Sequence, residues 1–169
     1  DKKDCQEKLG WNNTKINVLF AANPERLEKN YKLAKEAISI IDDTNIVVHF
    51  LKDVPNTDMP LYYNAADVVL LTSLSEGSPN VIKEAMACNR PIVATNIGDV
   101  KEVLGKTEGC YLTSFDAKEL ADTIKKNIVY NKRTKGRERI KALGLDSETI
   151  ANRIIAIYIK IINISEKII

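Results

Sequence analysis

The run Asp67-Val-Val-Leu-Leu-Thr72 constrains the fold more tightly than any other stretch of the chain. Its four consecutive apolar residues lack the in–out alternation of a half-solvated strand, so the strand needs cover on both faces. Such strands belong to parallel sheets sandwiched between helices. The rest of the chain keeps this rhythm. Residues 15–22 form a short β-rich run stopped by Asn23-Pro24, and residues 45–51 form another. Residues 91–95 begin with proline at the position where a missing N–H matters least, and 109–112 make a last short strand. Between them, Leu33, Ala34, Ala37, Ile38 and Ile41 recur at helical spacing and predict a helix from about Glu28 to Ile41. Further helices are predicted at 59–65, 78–88, 98–104 and 117–130. Alternating strands and helices imply βαβ crossovers and a Rossmann-like three-layer α/β/α domain with a parallel sheet.

A chain of 169 residues suits a single domain of this kind, and 44% hydrophobic with 28% charged residues is ordinary for a soluble protein. A net charge of +2 is too small for a nucleic-acid footprint. Cys5, Cys88 and Cys110 lie far apart without CxxC spacing, which predicts reduced thiols in a cytoplasmic compartment. The one histidine, His49, sits inside a strand and reads as structural, leaving no zinc set and no Ser-His or Cys-His nucleophile. Residues 1–6 are polar rather than apolar, so no signal peptide is predicted there. They read as a lead-in to the first strand of a piece taken from a longer protein. In the tail, Ile150, Ile154, Ile157, Ile161 and Ile164 form a helical stripe. Arg153, Lys160, Asn163 and Lys167 interrupt it, so a membrane span is excluded. The expectation is a packing helix over about 146–165, with contact to a membrane surface as the alternative.

Ligands of open parallel sheets bind outside the carboxyl ends of the strands, so the loops after them carry the chemistry. The loop after the Asp67–Thr72 strand reads Ser-Leu-Ser-Glu-Gly-Ser-Pro-Asn-Val-Ile-Lys-Glu84. Ser78 is a good N-cap, and Pro79 fits the first helical position. The amides of Asn80, Val81 and Ile82 would then point unpaired toward the strand ends, a natural phosphate site, with Gly77 permitting close approach. Glu76 and Glu84 bracket that site with seven residues between them. Paired carboxylates on either side of a phosphate suit a ligand with hydroxyls at both ends, as in a nucleotide sugar. Arg26 and Lys29, after the first strand, are candidates to neutralise a diphosphate, with a solvated helix start as the other reading.

Together, Leu61-Tyr-Tyr-Asn-Ala-Ala-Asp-Val-Val-Leu-Leu-Thr-Ser73, residues 76–95 and Gly98-Asp-Val-Lys-Glu102 resemble the C-terminal domain of the retaining GT-B glycosyltransferases of family 4, or group 1 type. The resemblance runs from about Ile16 to Val129. It implies that Glu76 holds donor-sugar hydroxyls, that Glu84 holds the nucleotide ribose, and that Lys29 meets the diphosphate. Amides around Gly77, Ser78, Asn80 and Val81 would line the phosphate loop, and Lys52, Asp53 and Val54 would lie along the base through their backbone. It further implies transfer of a hexose from a nucleoside-diphosphate sugar to an acceptor hydroxyl, without metal or cofactor. The sugar or lipid-linked acceptor would be held by an N-terminal domain that this chain lacks, with the whole enzyme peripheral to the inner face of a membrane. Where the family usually has Gly-Arg after the first strand, this chain has Ala22-Asn23, with Arg26 arriving later. The alternatives are a GT-B nucleotide-sugar epimerase half, a non-catalytic nucleotide-binding domain of receiver type, and a binding module that has lost activity.

Overall fold

A computed structural model describes residues 1–165, with side chains as far as residue 163. Five strands, β1 (Ile16–Phe20), β2 (Ile46–Phe50), β3 (Val68–Leu71), β4 (Ile92–Thr95) and β5 (Cys110–Thr113), form one parallel sheet in the order β2-β1-β3-β4-β5. Helices α1 (Lys2–Leu9), α2 (Tyr31–Ile41), α3 (Met59–Ala65), α4 (Asn80–Ala87), α5 (Val100–Leu104), α6 (Ala117–Tyr130), α7 (Gly136–Ala142) and α8 (Ser147–Ser165) complete it.

Both faces of the sheet are buried, as the unbroken apolar runs require. Leu19, Val69, Leu71, Ile92 and Ala94 point into one core, shared with residues of α3, α4 and α5. Val18, Phe20, Val68, Leu70 and Val93 point into the other, under α2 and α6. Alternate residues of each strand thus fill opposite layers, which is the three-layer arrangement expected from the sequence.

Two helices escape sequence reading. Residues 2–9, expected as a polar lead-in, form α1, closed at its start by reciprocal bonds between Asp1 and Asp4 and at its end by left-handed Gly10. Gln6 of α1 is buried and its amide donates to Ala65 O at 2.8 Å. Helix α7 lies in a polar stretch with no apolar period. It is fastened by arginines to the carbonyl ends of other helices: Arg137 Nε donates to Ala87 O at 2.7 Å, and Arg139 Nη2 to Glu102 O at 2.8 Å. These cations meet the partial negative charge at helix ends.

The tail corrects another expectation. Residues 147–165 are helical, but α8 does not pack as a core helix: Ile150, Ile154 and Ile157 are 37%, 47% and 58% exposed, and Ile161 is exposed too. An apolar stripe shows which side favours burial, not that something covers it. The side chain of Ile164 and all of Lys167 lie outside the described residues. No helix among the described residues is long and apolar enough to cross a membrane.

His49 on β2 is a packing residue. Its ring stacks on Trp11 with centroids 3.5 Å apart, and Nε2 lies 2.8 Å from Asn17 Oδ1. The Asn17 amide nitrogen already donates to Asn12 O and Lys15 O, so Asn17 offers its oxygen and His49 Nε2 carries the proton. Burial holds the His49 pKa below its usual value. The unfolded chain therefore binds more protons than the folded one as pH falls through about 6.5. Stability tied to His49 is complete above that pH and is lost below it. Urea unfolding at pH 7.5 and pH 5 is expected to show a smaller acid loss for His49→Gln than for wild type; equal losses would remove His49 from the account.

Candidate functional site

The chain leaves β1 for β2 on one side and returns as β3 on the other, so the loops after β1 and β3 diverge. This is the switch point at which an open parallel sheet forms its crevice. Here the two loops are tied together. The hydroxyl of Thr72 lies 3.0 Å from both Lys29 O and Asn30 O and shares its one proton between them, and Leu74 N–H donates to Glu28 O at 2.9 Å. Asn30 turns the chain into α2 in a left-handed conformation, φ 52°. These bonds bring the Lys29 ammonium into an ion pair with the Glu76 carboxylate. The two side chains are only 14% and 19% exposed, so solvent and salt screen the pair far less than a surface pair.

Arg26 is not part of this arrangement. Its side chain is 58% exposed, and its Nε donates to Glu28 of the same turn at 2.7 Å. Lys52, just past β2, is likewise held at the surface by Glu25 at 2.7 Å. Asp53 has φ 54°, and Val54 packs against the core. The 52–54 segment thus follows the strand beside β1, at the same end of the sheet.

The start of α4 differs from the expected cap. Pro79, not Ser78, occupies the cap position in extended conformation, with no side-chain cap, and α4 begins at Asn80. The Ser78 hydroxyl instead donates to the Asp99 carboxylate, a charged acceptor from the β4–α5 connection that outcompetes a neutral backbone partner. Of the three amides expected free, that of Ile82 donates to Pro79 O at 3.2 Å. Asn80 and Val81 remain in the first turn, where a helix has no internal acceptor for its N–H groups. An uncapped start leaves those donors to a ligand.

The close backbone approach expected at Gly77 belongs to Gly98. A Cβ on Gly77 would meet nothing within 4 Å, whereas on Gly98, φ 50°, it would strike the Gly77 carbonyl oxygen and lie 2.5 Å from Glu76 O. Asp99 N–H also donates to Gly77 O at 3.1 Å. The loop bearing Glu76 is therefore shaped from behind by residues 98 and 99.

Glu84 is half-buried on α4, where Tyr63 of α3 donates its phenol to Oε2 at 2.7 Å. Burial, and then the Glu84 carboxylate, push the Tyr63 pKa far above the usual tyrosine value, so the phenol stays a donor. Sequence reading passes over Tyr63 and Asp99. Tyr63 has the helical spacing of any core aromatic, and Asp99 lies 23 residues beyond Glu76.

Over 71 residues the chain is 38% identical to TuaC of Bacillus subtilis (strain 168), a glycosyltransferase named for teichuronic acid biosynthesis; the match covers 42% of this chain and 18% of TuaC. Anabaena HepE, solved in complex with UDP-glucose, aligns with 95% of this chain and 52% of its own at TM-score 0.76 and 20% identity. The C-terminal domain of LpcC, a glycosyl transferase group 1 family protein from Francisella tularensis, aligns over 84% of this chain and 92% of that domain at TM-score 0.65 and 16% identity. At such identities the structural likeness speaks for the fold, a Rossmann-like half of the GT-B type. The chain spans about half of HepE and less than a fifth of TuaC. The family model for glycosyl transferases group 1 matches residues 11–128, well over half of the chain, and the protein belongs to that family.

Proposed function

We propose that this chain carries the donor site of a glycosyltransferase that moves a hexose from a nucleoside-diphosphate sugar to an acceptor hydroxyl, with retention at the anomeric carbon. The observation that carries the proposal is the Lys29–Glu76 pair at the β1/β3 switch point, beside the uncapped start of α4. The UDP-glucose complex of HepE, a protein of the same fold, supports the donor class.

In this reading the diphosphate lies between Lys29 and the first-turn amides of Asn80 and Val81, with the Gly77–Ser78 backbone along its side. As the bond from the anomeric carbon to the diphosphate breaks, negative charge grows on the leaving oxygen. A fixed ammonium and aligned N–H groups stabilise that charge more than they stabilise the bound donor. Glu76 accepts hydrogen bonds from the sugar hydroxyls, and Glu84 from those of the ribose. The backbone of Lys52, Asp53 and Val54 follows the base. Lys29 and the helix start together supply the positive charge that a metal ion would otherwise bring. Arg26 joins only by leaving Glu28. The acceptor site belongs to a second domain outside this chain, which alone binds the donor without turning it over.

Calorimetric titration with UDP, GDP and ADP is expected to identify one base that binds tightest, with EDTA leaving the affinity unchanged. Lys29→Ala removes a charge-assisted contact of about 1.5–3 kcal/mol, which lowers affinity by about 10- to 150-fold. Glu84→Gln lowers it less. Binding by none of the three nucleotides, or wild-type affinity in both variants, sinks the assignment.

The two glycines of the loop part ways under substitution. Gly98→Ala is expected to lose about 1–3 kcal/mol of stability in urea unfolding, from a strained backbone and a blocked carbonyl. Gly77→Ala changes stability by less than about 0.5 kcal/mol but weakens nucleoside-diphosphate binding, because its methyl occupies space left for the ligand. Loss of stability in Gly77→Ala would place the constraint inside the protein instead.

A further inference from the structure

A glutamate that grips a ribose from a helix has three torsions to fix before it can do so, and fixing them opposes binding. In this protein Glu84 is not left to search. Tyr63 sits in the last turn of α3, 1% exposed, in the core cluster that includes Ile82, Ala85 and Met86 of α4. Its ring is held by packing, so its hydroxyl is a fixed point. That hydroxyl donates to Glu84 Oε2 at 2.7 Å, while Oε1 has no hydrogen-bond partner among the described residues. A buried phenol needs an acceptor, and a backbone carbonyl would satisfy it equally well. Its acceptor here is instead the half-exposed carboxylate on the helix whose start forms the phosphate cradle. The bond ties the core to the site through one rigid ring.

We infer that Tyr63 is a positioning residue for nucleotide recognition: it clamps Oε2 of Glu84 so that Oε1 is presented to the ribose diol, which sets a preference for ribonucleoside diphosphates over those lacking the diol. The inference rests on the donor-site reading above and deepens it. Tyr63 touches no ligand and acts only through Glu84. Burial keeps the phenol protonated, so Tyr63 remains the donor in this bond.

The test compares UDP with 2′,3′-dideoxy-UDP by calorimetry on the whole chain, using the matching GDP or ADP pair if that base binds tighter. Wild type is expected to prefer UDP. Tyr63→Phe keeps the ring but not the clamp. It should lose about 5- to 20-fold in UDP affinity, less than a direct charge-assisted contact is worth because Tyr63 acts only through Glu84, while its affinity for the dideoxy form stays within about twofold. A purely structural role would weaken both ligands alike. Tyr63→Phe combined with Glu84→Gln should bind UDP no worse than Glu84→Gln alone. If Tyr63→Phe does not fold, Tyr63→Met serves instead: it also lacks the hydroxyl while leaving Glu84 untouched, and discrimination should fall in the same way. Wild type that binds neither ligand overturns the donor-site reading and Tyr63 with it. Wild type that discriminates beside a Tyr63→Phe that discriminates equally, or one that loses both ligands equally, overturns the Tyr63 assignment alone.

Discussion

Strands β1 and β3 lie side by side and carry apolar residues on both faces, so neither tolerates water on either side. Two helical layers must cover them, and right-handed crossovers are the available way to place those layers. Once β2 is added outside β1, the return to β3 obliges the chain to cross over β1, and the sheet acquires its reversal. The crevice at the carboxyl ends is a geometric by-product of burying Val18, Phe20, Val68 and Leu70 on one side and Leu19, Val69 and Leu71 on the other. Nothing polar is needed to make the crevice. Polar groups decide only what it holds.

Lys29 and Glu76 show how the crevice is furnished. Each is mostly shielded from water, and each is the charged partner that offsets the other's desolvation. Removing either leaves a poorly solvated charge, so these two residues are coupled even where no ligand is bound. In the proposed donor site, a diphosphate entering beside Lys29 would place a second anion on one ammonium. The attraction would then be shared, and Glu76 would become freer to accept hydroxyls. Under the proposed function, a single cation would make the carboxylate available as the phosphate arrives, so that sugar and diphosphate would be recognised together rather than one after the other.

What the sequence discloses here is what local chemistry determines. The apolar runs identify all five strands, and the bounds of α3 and α6 emerge from helical spacing and flanking residues alone. The spacing of Glu76 and Glu84 around a proline-led helix start is equally local. Distant competition stays hidden. Ser78 has the intrinsic preferences of a cap, yet it is drawn to Asp99, which approaches from another strand's loop. Helix α7 has no apolar period to betray it, because arginine–carbonyl bonds hold it to the ends of α4 and α5. Helix α8 fails in the opposite sense. Ile154, Ile155, Ile157 and Ile159 are all exposed, so the pattern foretold a helix but not its cover.

The loop from Glu76 to Ser78 shows why a motif read along the chain misplaces its own constraints. Gly77 lies within the motif and faces open space, so its lack of a side chain does nothing for the folded protein by itself. Gly98 lies outside the Glu76–Glu84 stretch, and its missing Cβ is what lets the Gly77 carbonyl approach, with Asp99 fixing that carbonyl by its N–H and Ser78 by its carboxylate. The β4–α5 connection therefore acts as a mould for the β3–α4 loop. A loop pressed into shape from outside does not need stiff residues of its own, and its exposed side can remain small and polar. Gly77, which faces open space, and Gly98, whose absent side chain serves the fold, are 21 residues apart in sequence, and they meet only when the sheet is complete.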